Sequence, residues 1–391
     1  MRKEVKQRFI RALVMVLFVS GLYYPCDLAR GDDFHEGFLK LSSADNEYID
    51  SVAGRIDENG NIFLSVSKED FLDAGFAPDD LVEVWFEGRD KGYLMPVLKS
   101  SSGLIWGKNY LHIEDNEISI NRKDRSFAKR EYLEDCVGKN VVIKLKEKGG
   151  FSYDGISKDI DDYPSLKAYA NFRNVKGASL GENALYRSFH PGLAASKYGT
   201  RNKVADKLAK KNKIKCVLTL SNSRKVLKTK VSKKDTPYYY SLMKKGKVCA
   251  TKLNGSYISS KAYRKGMRKQ MKYMASHKGP YLIHCVIGRD RTGFAVCLLE
   301  ALMGVGYDEM ADDYAQSYRN YNHIKKGSLL DEYMKSSIDD NIEEMLLYGD
   351  GGYIDPESAD LKKAAECYLK NALLLSDSQI KAIKKNLSRD Y

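Results

Sequence analysis

The strongest constraint on the fold is a ten-residue run at positions 284–293, which reads His-Cys-Val-Ile-Gly-Arg-Asp-Arg-Thr-Gly. An apolar stretch at 281–283 precedes this run and predicts a buried strand, whereas the apolar stretch at 294–303 predicts a helix. A glycine-containing loop between a strand and a helix N-terminus can direct successive backbone N–H groups at an anion. The sequence therefore predicts a phosphate-sized binding loop in an α/β domain.

The side chains of this run fit the chemistry of such a loop. Cys285 is a candidate nucleophile, because the positive potential of a helix N-terminus and flanking arginines stabilises a thiolate. Arg291 carries a planar guanidinium group that can bind two phosphoryl oxygens of a transition state, which a lysine cannot match. Gly288 permits a positive φ and a close approach of the backbone to a ligand, and Thr292 places a hydroxyl group beside the sulfur.

The run resembles the signature loop of the cysteine-dependent protein tyrosine phosphatase superfamily, which reads His-Cys, five residues, Arg, then Ser or Thr. Positions 288–293 are similar to the Gly-Lys-Asp-Arg-Thr-Gly version found in bacterial tyrosine and phosphoinositide phosphatases, with Arg289 in place of the lysine. The Asn-Phe-Arg segment at 171–173 and the Leu-Tyr-Arg-Ser segment at 185–188 resemble two segments that open the catalytic domain of that group. Rhodanese-type sulfur transferases also use a loop cysteine, but their loop is a residue shorter.

This resemblance implies an enzyme that hydrolyses phosphotyrosine or phosphoinositide monoesters through a cysteinyl-phosphate intermediate, without a metal or another cofactor. It implies that Cys285, Arg291 and Asp290 are catalytic. The other loop residues would bind the substrate phosphate: His284, Val286, Ile287, Gly288, Arg289, Thr292 and Gly293. The alternative is a module of the same fold that binds phosphate or anionic lipid without catalysing hydrolysis. The intact Cys, Arg and Thr favour the enzyme.

The identity of the general acid is a separate question, because expulsion of an alkoxide requires a proton donor. The sequence contains no Asp or Glu between Asp235 and Asp290, so a separate acid loop shortly before the cysteine has no candidate. Asp290 is therefore the leading candidate, and position 222, where relatives often have Asp, is Asn222. Two alternatives remain open: a structural role for Asp290 in orienting Arg289 or the loop amides, and a donor at Asp235 or on the C-terminal helices.

Positive charge is concentrated in one part of the chain. Residues 201–289 contain 25 Lys and Arg against Asp206 and Asp235, in a chain with a net charge of +13. Such a field steers polyanionic substrates, and an anionic membrane surface fits it better than nucleic acid, because no base-reading or stacking motif accompanies the lysines. We expect a phosphorylated protein or an inositol phospholipid as substrate and no nucleic acid; the oligomeric state stays open.

The N-terminal segment 1–31 predicts a signal peptide or an N-terminal anchor. A basic start is followed by an apolar run from Ala12 to Tyr24, which is shorter than the about 20 residues of a membrane-spanning helix. The sequence therefore predicts an exported, secreted or membrane-anchored protein, and Pro25 before Cys26 disfavours a lipoprotein site. The seven cysteines have neither zinc-ligand nor disulfide-framework spacing, which predicts isolated, mostly buried thiols.

The remaining sequence predicts two domains. Residues 34–150 predict a small, mostly-β accessory domain, with alternating stretches at 61–66, 81–86 and 140–145, and with His35 and His112 as ordinary surface residues. Residues 160–391 predict the catalytic domain, an α/β fold with a protein tyrosine phosphatase-like sheet flanked by helices and a helical C-terminal extension. Its helices are predicted at 203–211, 264–276, 292–303, 307–321, 331–348, 356–373 and 376–387.

Overall fold

The computed structural model describes residues 47–102, 104, 107–254, 258–349 and 355–391. The predicted export segment 1–31 lies outside these residues, as do Cys26 and His35. In the described ranges, no helix combines the length and the apolar character needed to cross a membrane. The six cysteines of these ranges are free thiols, five of them buried.

The N-terminal domain is a closed β-barrel, whereas the sequence pattern predicted only a mostly-β domain. Its strands are β1 Tyr48–Ile56, β2 Ile62–Leu64, β3 Leu81–Phe86, β4 Tyr93–Leu98, β5 Asn109–Glu114, β6 Glu117–Arg122 and β7 Asn140–Glu147. They close in the order β1-β2-β6-β5-β4-β3-β7, and only the β4–β5 pair is parallel. Two short helices, α1 Lys68–Asp73 and α2 Phe127–Arg130, each begin after a capping serine. Closure leaves no free sheet edge.

The second domain is built on a five-stranded sheet that positions the predicted phosphate loop. Its strands are β8 Arg173–Val175, β9 Leu185–Ser188, β10 Cys216–Thr219, β11 Val248–Ala250 and β12 Tyr281–His284. They lie in the order β11-β10-β12-β9-β8, and only the β8–β9 pair is antiparallel. The central strand β12 is buried along its whole length, as the apolar stretch predicted. Its C-terminal end leads into the loop, at the sheet edge where α/β folds bind ligands.

Helices cover both faces of this sheet. They are α3 Leu166–Tyr169, α4 Arg201–Lys211, α5 Arg224–Lys230, α6 Pro237–Lys244, α7 Lys261–Ser276, α8 Asp290–Leu302, α9 Tyr307–Asn322, α10 Leu329–Lys335, α11 Asp339–Leu346, α12 Leu361–Cys367 and α13 Asp377–Leu387. Helices α4 and α6 pack with Val217 and Leu282 on one face. Helices α7, α8 and the C-terminal helices pack with Leu218 and Ile283 on the other face.

Three predicted helices differ from the structure by more than two residues at their start or by an internal break. The helix predicted at 264–276 begins earlier, at Lys261, because the Ser260 hydroxyl caps it. The helix predicted at 331–348 is interrupted by a 3₁₀ turn at Ser336–Ile338. The helix predicted at 356–373 begins only at Leu361, where Asp360 accepts a hydrogen bond from the Lys363 N–H, and it ends in a π-helical turn. Hydrophobic periodicity alone does not locate such caps and breaks.

A buried polar interface joins the barrel to the C-terminal helices. Arg122 in β6 donates from Nη2 to Asp340 Oδ1 at 2.7 Å, and Lys108 donates from Nζ to Ser336 Oγ at 2.7 Å. Burial lowers the pKa of Lys108 to about 7, and burial raises the pKa of Asp339 to about 7. Removal of one partner from such a buried network would leave an uncompensated charge, so these contacts stabilise the interface between the barrel and the C-terminal helices.

Candidate active site

The predicted phosphate loop connects β12 to α8. Cys285 directly follows β12, and α8 begins at Asp290. Gly288 has a φ of 72°, which confirms the positive φ predicted for it. A Cβ at this position would lie 2.1 Å from the carbonyl oxygen of Ser188, so the close approach of the loop to β9 requires glycine.

The carbonyl groups of this loop all accept hydrogen bonds from surrounding protein groups. The Nδ1 of His284 donates to carbonyl 285 at 3.0 Å, and the N–H of His190 donates to carbonyl 286 at 3.1 Å. The Tyr321 hydroxyl donates to carbonyl 287 at 2.6 Å. The Nη2 of Arg187 donates to both carbonyl 288, at 3.0 Å, and carbonyl 289, at 3.1 Å. In a trans peptide unit, the N–H group points away from the carbonyl that precedes it. The N–H groups of residues 286–290 are therefore directed to the inner side of the loop, which gives it the form of an anion-binding cradle.

A charged network holds the donor Arg187 in place. Its Nη1 donates to Asp313 Oδ2 at 2.5 Å, and Arg173 donates from Nε to the other carboxylate oxygen at 2.6 Å. Asn171 adds a hydrogen bond from Nδ2 to the Gly288 carbonyl at 3.2 Å. The sequence resemblance identified segments 171–173 and 185–188, but it assigned no role to Asp313 or Tyr321. Both lie on α9, and no local pattern connects that helix with the loop.

His284 lies behind the loop and not on its inner face. Its Nδ1–H donates to the Cys285 carbonyl, so its Nε2 accepts a hydrogen bond from Thr219 Oγ1 at 2.8 Å. Thr219 in turn accepts from the Tyr239 hydroxyl at 2.7 Å. Burial lowers the pKa of His284 to about 3, so the imidazole is neutral and this tautomer is fixed. Both ring nitrogens contact protein, and the side chain supports the loop backbone.

Cys285 begins the loop, and Arg291 and Thr292 lie in the first turn of α8 that follows it. Cys285 is buried, and Arg291 donates from Nη1 to the Leu253 carbonyl at 3.0 Å. Tyr263 lies near both Cys285 and Arg291. Burial raises the pKa of Tyr263, and the charges of Cys285 and Arg291 affect this pKa as well. The buried Thr292 hydroxyl has no hydrogen-bond partner within the described ranges, so it can donate to a ligand or to the sulfur.

Arg289 and Asp290 form an ion pair at the start of α8. Arg289 donates from Nε to Asp290 Oδ1 at 2.9 Å, and its guanidinium lies 4.5 Å from the ring centre of Tyr318. Burial acts to lower the pKa of Arg289, but the charges of Asp290 and Tyr318 raise it well above its usual value. The Asp290 side chain is 43% exposed, against 19% for Arg289. Asp290 is thus the more accessible of the two to a substrate.

The other predicted loop residues occupy different positions. Val286 is 36% exposed and lines a pocket beside the loop, whereas Ile287 packs against the core that covers β12. Gly293 lies in the first turn of α8, where a Cβ would be 2.3 Å from the Tyr314 ring. Glycine at this position therefore permits the close packing of α8 against α9.

Two further positions considered for the general acid lie beside the loop. Asp235 forms an ion pair with Lys203 at 2.9 Å, and the hydrogen bond from Lys203 lowers the pKa of Asp235. Asn222 lies with Asp235 in the wall of a pocket next to Val286. Within the described ranges, no three or more His, Cys, Asp or Glu side chains are grouped so that they could hold a metal ion.

Sequence comparison agrees with the geometry of this loop. A profile of the tyrosine phosphatase family matches residues 165–389, which is more than half of the 391-residue chain. The chain belongs to the tyrosine phosphatase family. The match begins directly before α3 and includes the five-stranded sheet, the loop and all the described helices that follow it. No curated protein matches the chain.

Parts of the chain match solved structures, including the two that follow. One is an uncharacterized conserved protein from Thermotoga maritima, with 20% identity over 26% of this chain and 37% of that chain, and a TM-score of 0.23. The other is the core catalytic domain of the PP-IP phosphatase SIW14 from S. cerevisiae in complex with citrate. It has 17% identity over 45% of this chain and 91% of that chain, and a TM-score of 0.25. At these values, neither alignment bears on the substrate of this protein.

Proposed function

We propose that the protein is a cysteine-dependent phosphatase that hydrolyses phosphotyrosine or phosphoinositide monoesters through a cysteinyl-phosphate intermediate. The observation that carries this proposal is the hydrogen bonding of carbonyls 285–289 to surrounding protein groups, from which the N–H groups of residues 286–290 are inferred to face the inner side of the loop that follows Cys285. Backbone N–H groups arranged in this way bind an anion and stabilise the charge that develops in a transition state. Membership of the tyrosine phosphatase family supports the same reaction class.

In the first step, the Cys285 thiolate attacks phosphorus. A bond between sulfur and phosphorus forms as the bond between phosphorus and the leaving oxygen breaks. Arg291 and the loop N–H groups bind the non-bridging oxygens, because a planar guanidinium matches two of them. The protonated form of Asp290 gives its proton to the leaving oxygen, which departs as an alcohol or a phenol, and the resulting carboxylate pairs with Arg289.

In the second step, water attacks the phosphorus of the intermediate. The bond to sulfur breaks, inorganic phosphate leaves, and Cys285 is restored as a thiolate. The Asp290 carboxylate, now deprotonated, accepts a proton from the attacking water. The Thr292 hydroxyl, which has no hydrogen-bond partner among the described residues, donates to the departing sulfur and stabilises its negative charge.

The substrate and the location of the protein are part of this proposal. The sequence predicts that Arg289 adds a second cation beside the phosphate, but its ion pair with Asp290 and its position over Tyr318 already occupy that side chain. Support for a multiply charged substrate therefore comes mainly from the lysine-rich stretch 201–289. We retain export through segment 1–31 and contact with an anionic membrane surface as proposals.

Purified protein should release inorganic phosphate from an aryl phosphate with a metal chelator present, because no step of the mechanism uses a metal. Rapid acid quenching with labelled substrate should trap the phosphoryl group on Cys285, which mass spectrometry of the digested protein can locate. Binding of phosphate without any release would contradict the proposal. It would favour the alternative, a binding module of the same fold.

Asp290→Asn should slow hydrolysis of an alkyl phosphate by about 10²–10⁴-fold, the usual contribution of a general acid. Hydrolysis of 4-nitrophenyl phosphate should fall much less, because its leaving group scarcely requires a proton. Steady-state kinetics on both substrates measures the difference.

Asp235→Asn is the matched control, since Asp235 is exposed and paired with Lys203. It should change neither rate. Equal losses of rate on both substrates in Asp290→Asn would indicate that Asp290 has a structural role, which is to orient Arg289. A selective loss in Asp235→Asn would instead identify Asp235 as the acid.

A further inference from the structure

Helix α11 connects the barrel to the start of α7. On the barrel side, Arg122 of β6 donates to Asp340 of α11 at 2.7 Å, and Arg130 at the end of α2 donates from Nε to Glu343. Both hydrogen bonds join a guanidinium group to a carboxylate, and such charge-assisted hydrogen bonds are stronger than those between neutral groups. The barrel therefore supports α11.

Glu344, the next residue of α11, contacts the start of α7. The Ser259 hydroxyl donates to Glu344 Oε2 at 2.5 Å, and Ser259 directly precedes Ser260, which caps α7. The other carboxylate oxygen, Oε1, is buried and has no hydrogen-bond partner in the described ranges. A buried polar group that loses its partner destabilises its surroundings, so the contact with Ser259 ties the start of α7 to α11.

The first two turns of α7 lie against the candidate active site. Tyr263 is buried and packs edge-on against Phe294 of α8, with the ring centres 5.7 Å apart. At Gly266, a Cβ would lie 2.2 Å from Cδ2 of Leu253, so glycine allows Leu253 to pack directly on α7. The carbonyl of Leu253 accepts the hydrogen bond from Arg291 Nη1 at 3.0 Å. A displacement of α7 would therefore displace the acceptor that holds Arg291.

We propose that Glu344 is a positioning residue for Arg291. It holds the start of α7 through Ser259, and α7 in turn holds Leu253, whose carbonyl orients the guanidinium group. This inference rests on the proposed function and gives the barrel a part in it, because the barrel supports the helix that carries Glu344. A small misplacement of a group that binds the transition state lowers the rate even when the group itself is intact.

Glu344→Leu and Glu344→Gln test the contact with Ser259. Leucine removes both acceptor oxygens, whereas glutamine keeps one oxygen that can accept from the Ser259 hydroxyl. In Glu344→Leu, kcat/KM for 4-nitrophenyl phosphate should fall about tenfold, and in Glu344→Gln it should stay within about twofold of the unaltered protein. Equal losses in the two variants would overturn the proposal, because the hydrogen bond would then not account for the effect.

Ser259→Ala removes the same hydrogen bond from its other end. Ser259 is exposed, so the variant should fold even if a change at the buried Glu344 does not. We expect a severalfold fall in kcat/KM. The double variant Ser259→Ala/Glu344→Leu should fall no further than Glu344→Leu alone, because residues that share one contact are not additive. Fully additive losses would contradict the proposal.

The same change in an Arg291→Lys background separates positioning from a general loss of stability. Arg291→Lys removes the planar group that Leu253 orients. The addition of Glu344→Leu should therefore lower kcat/KM by less than about twofold in this background, against about tenfold in the unaltered protein. A further loss of about tenfold would show that Glu344 acts independently of Arg291, and it would overturn the assignment.

Binding of inorganic phosphate separates this inference from the proposed function. If the protein released no phosphate from any ester, titration calorimetry with inorganic phosphate would still report on the position of Arg291. Binding that is weaker by severalfold in Glu344→Leu, but not in Glu344→Gln, would support the positioning role although the proposed function had failed. Equal phosphate binding by the unaltered protein and both variants would overturn the positioning role, whether or not the protein is a phosphatase.

Discussion

Cys285→Ser should lower phosphate release by about 10⁴-fold or more, because a serine hydroxyl does not ionise at neutral pH and the covalent step is lost. The loop itself should persist, since its carbonyl groups are held by His190, Arg187 and Tyr321 and not by the sulfur. The variant should therefore still bind inorganic phosphate. Steady-state kinetics on an aryl phosphate, together with calorimetry, measures both properties.

Arg291→Lys and Cys367→Ser complete this experiment. Arg291→Lys keeps the positive charge but removes the fork that binds two oxygens, so a loss of about 10²–10³-fold is expected. Cys367 is a half-buried thiol at the end of α12, and Cys367→Ser should leave turnover unchanged. Turnover like that of the unaltered protein in Cys285→Ser would refute the cysteinyl-phosphate mechanism, whatever the other variants do.

The sequence predicted the loop well because its determinants are local. An apolar strand, a glycine with a positive φ and an apolar helix are encoded within about a dozen consecutive residues, and each gives a recognisable signal. The structure accordingly has β12, Gly288 and α8 close to their predicted positions. The C-terminal helices were also predicted, except for their caps and breaks.

The groups that hold the loop were not predicted, because they depend on tertiary structure. Arg187 reaches carbonyls 288 and 289 only because β9 lies beside β12 in the sheet. Asp313 and Tyr321 act through the packing of α9, and nothing in the spacing of α9 indicates this contact. Closure of the N-terminal barrel has the same origin, since it requires the pairing of β1 with β7 and a parallel β4–β5 pair.

Arg289 illustrates a further limit of sequence reasoning. Its position in the sequence, as a cation within the phosphate loop, predicted a second contact with a charged substrate. In the structure, it precedes the first helical turn and pairs with the adjacent Asp290, an arrangement that neighbouring residues inside a helix do not adopt.

Asp313→Asn should cause the largest loss of stability of any single change near the loop. It removes the carboxylate that Arg173 and Arg187 share, and it leaves two guanidinium groups without their counter-ion. Breaking a buried ion pair in this way costs about 3–5 kcal/mol in the free energy of unfolding. Because Arg187 also holds carbonyls 288 and 289, turnover should fall as well. Chemical denaturation and aryl phosphate hydrolysis measure the two effects.

The adjacent residue provides the control, and pH provides a second test. Asp312 is 38% exposed and pairs with Arg319 and Lys326, so Asp312→Asn should cost only about 0–1 kcal/mol in the free energy of unfolding.

Burial acts to raise the pKa of Asp313, but Arg173 and Arg187 lower it below its usual value. Its stabilising contribution is therefore complete above the unfolded value of about 3.9, and it is lost as the pH falls through the lower, folded value. The stability difference between the unaltered protein and Asp313→Asn should narrow on acidification; a difference that stayed constant down to that pH would show that the carboxylate charge does not hold the network together.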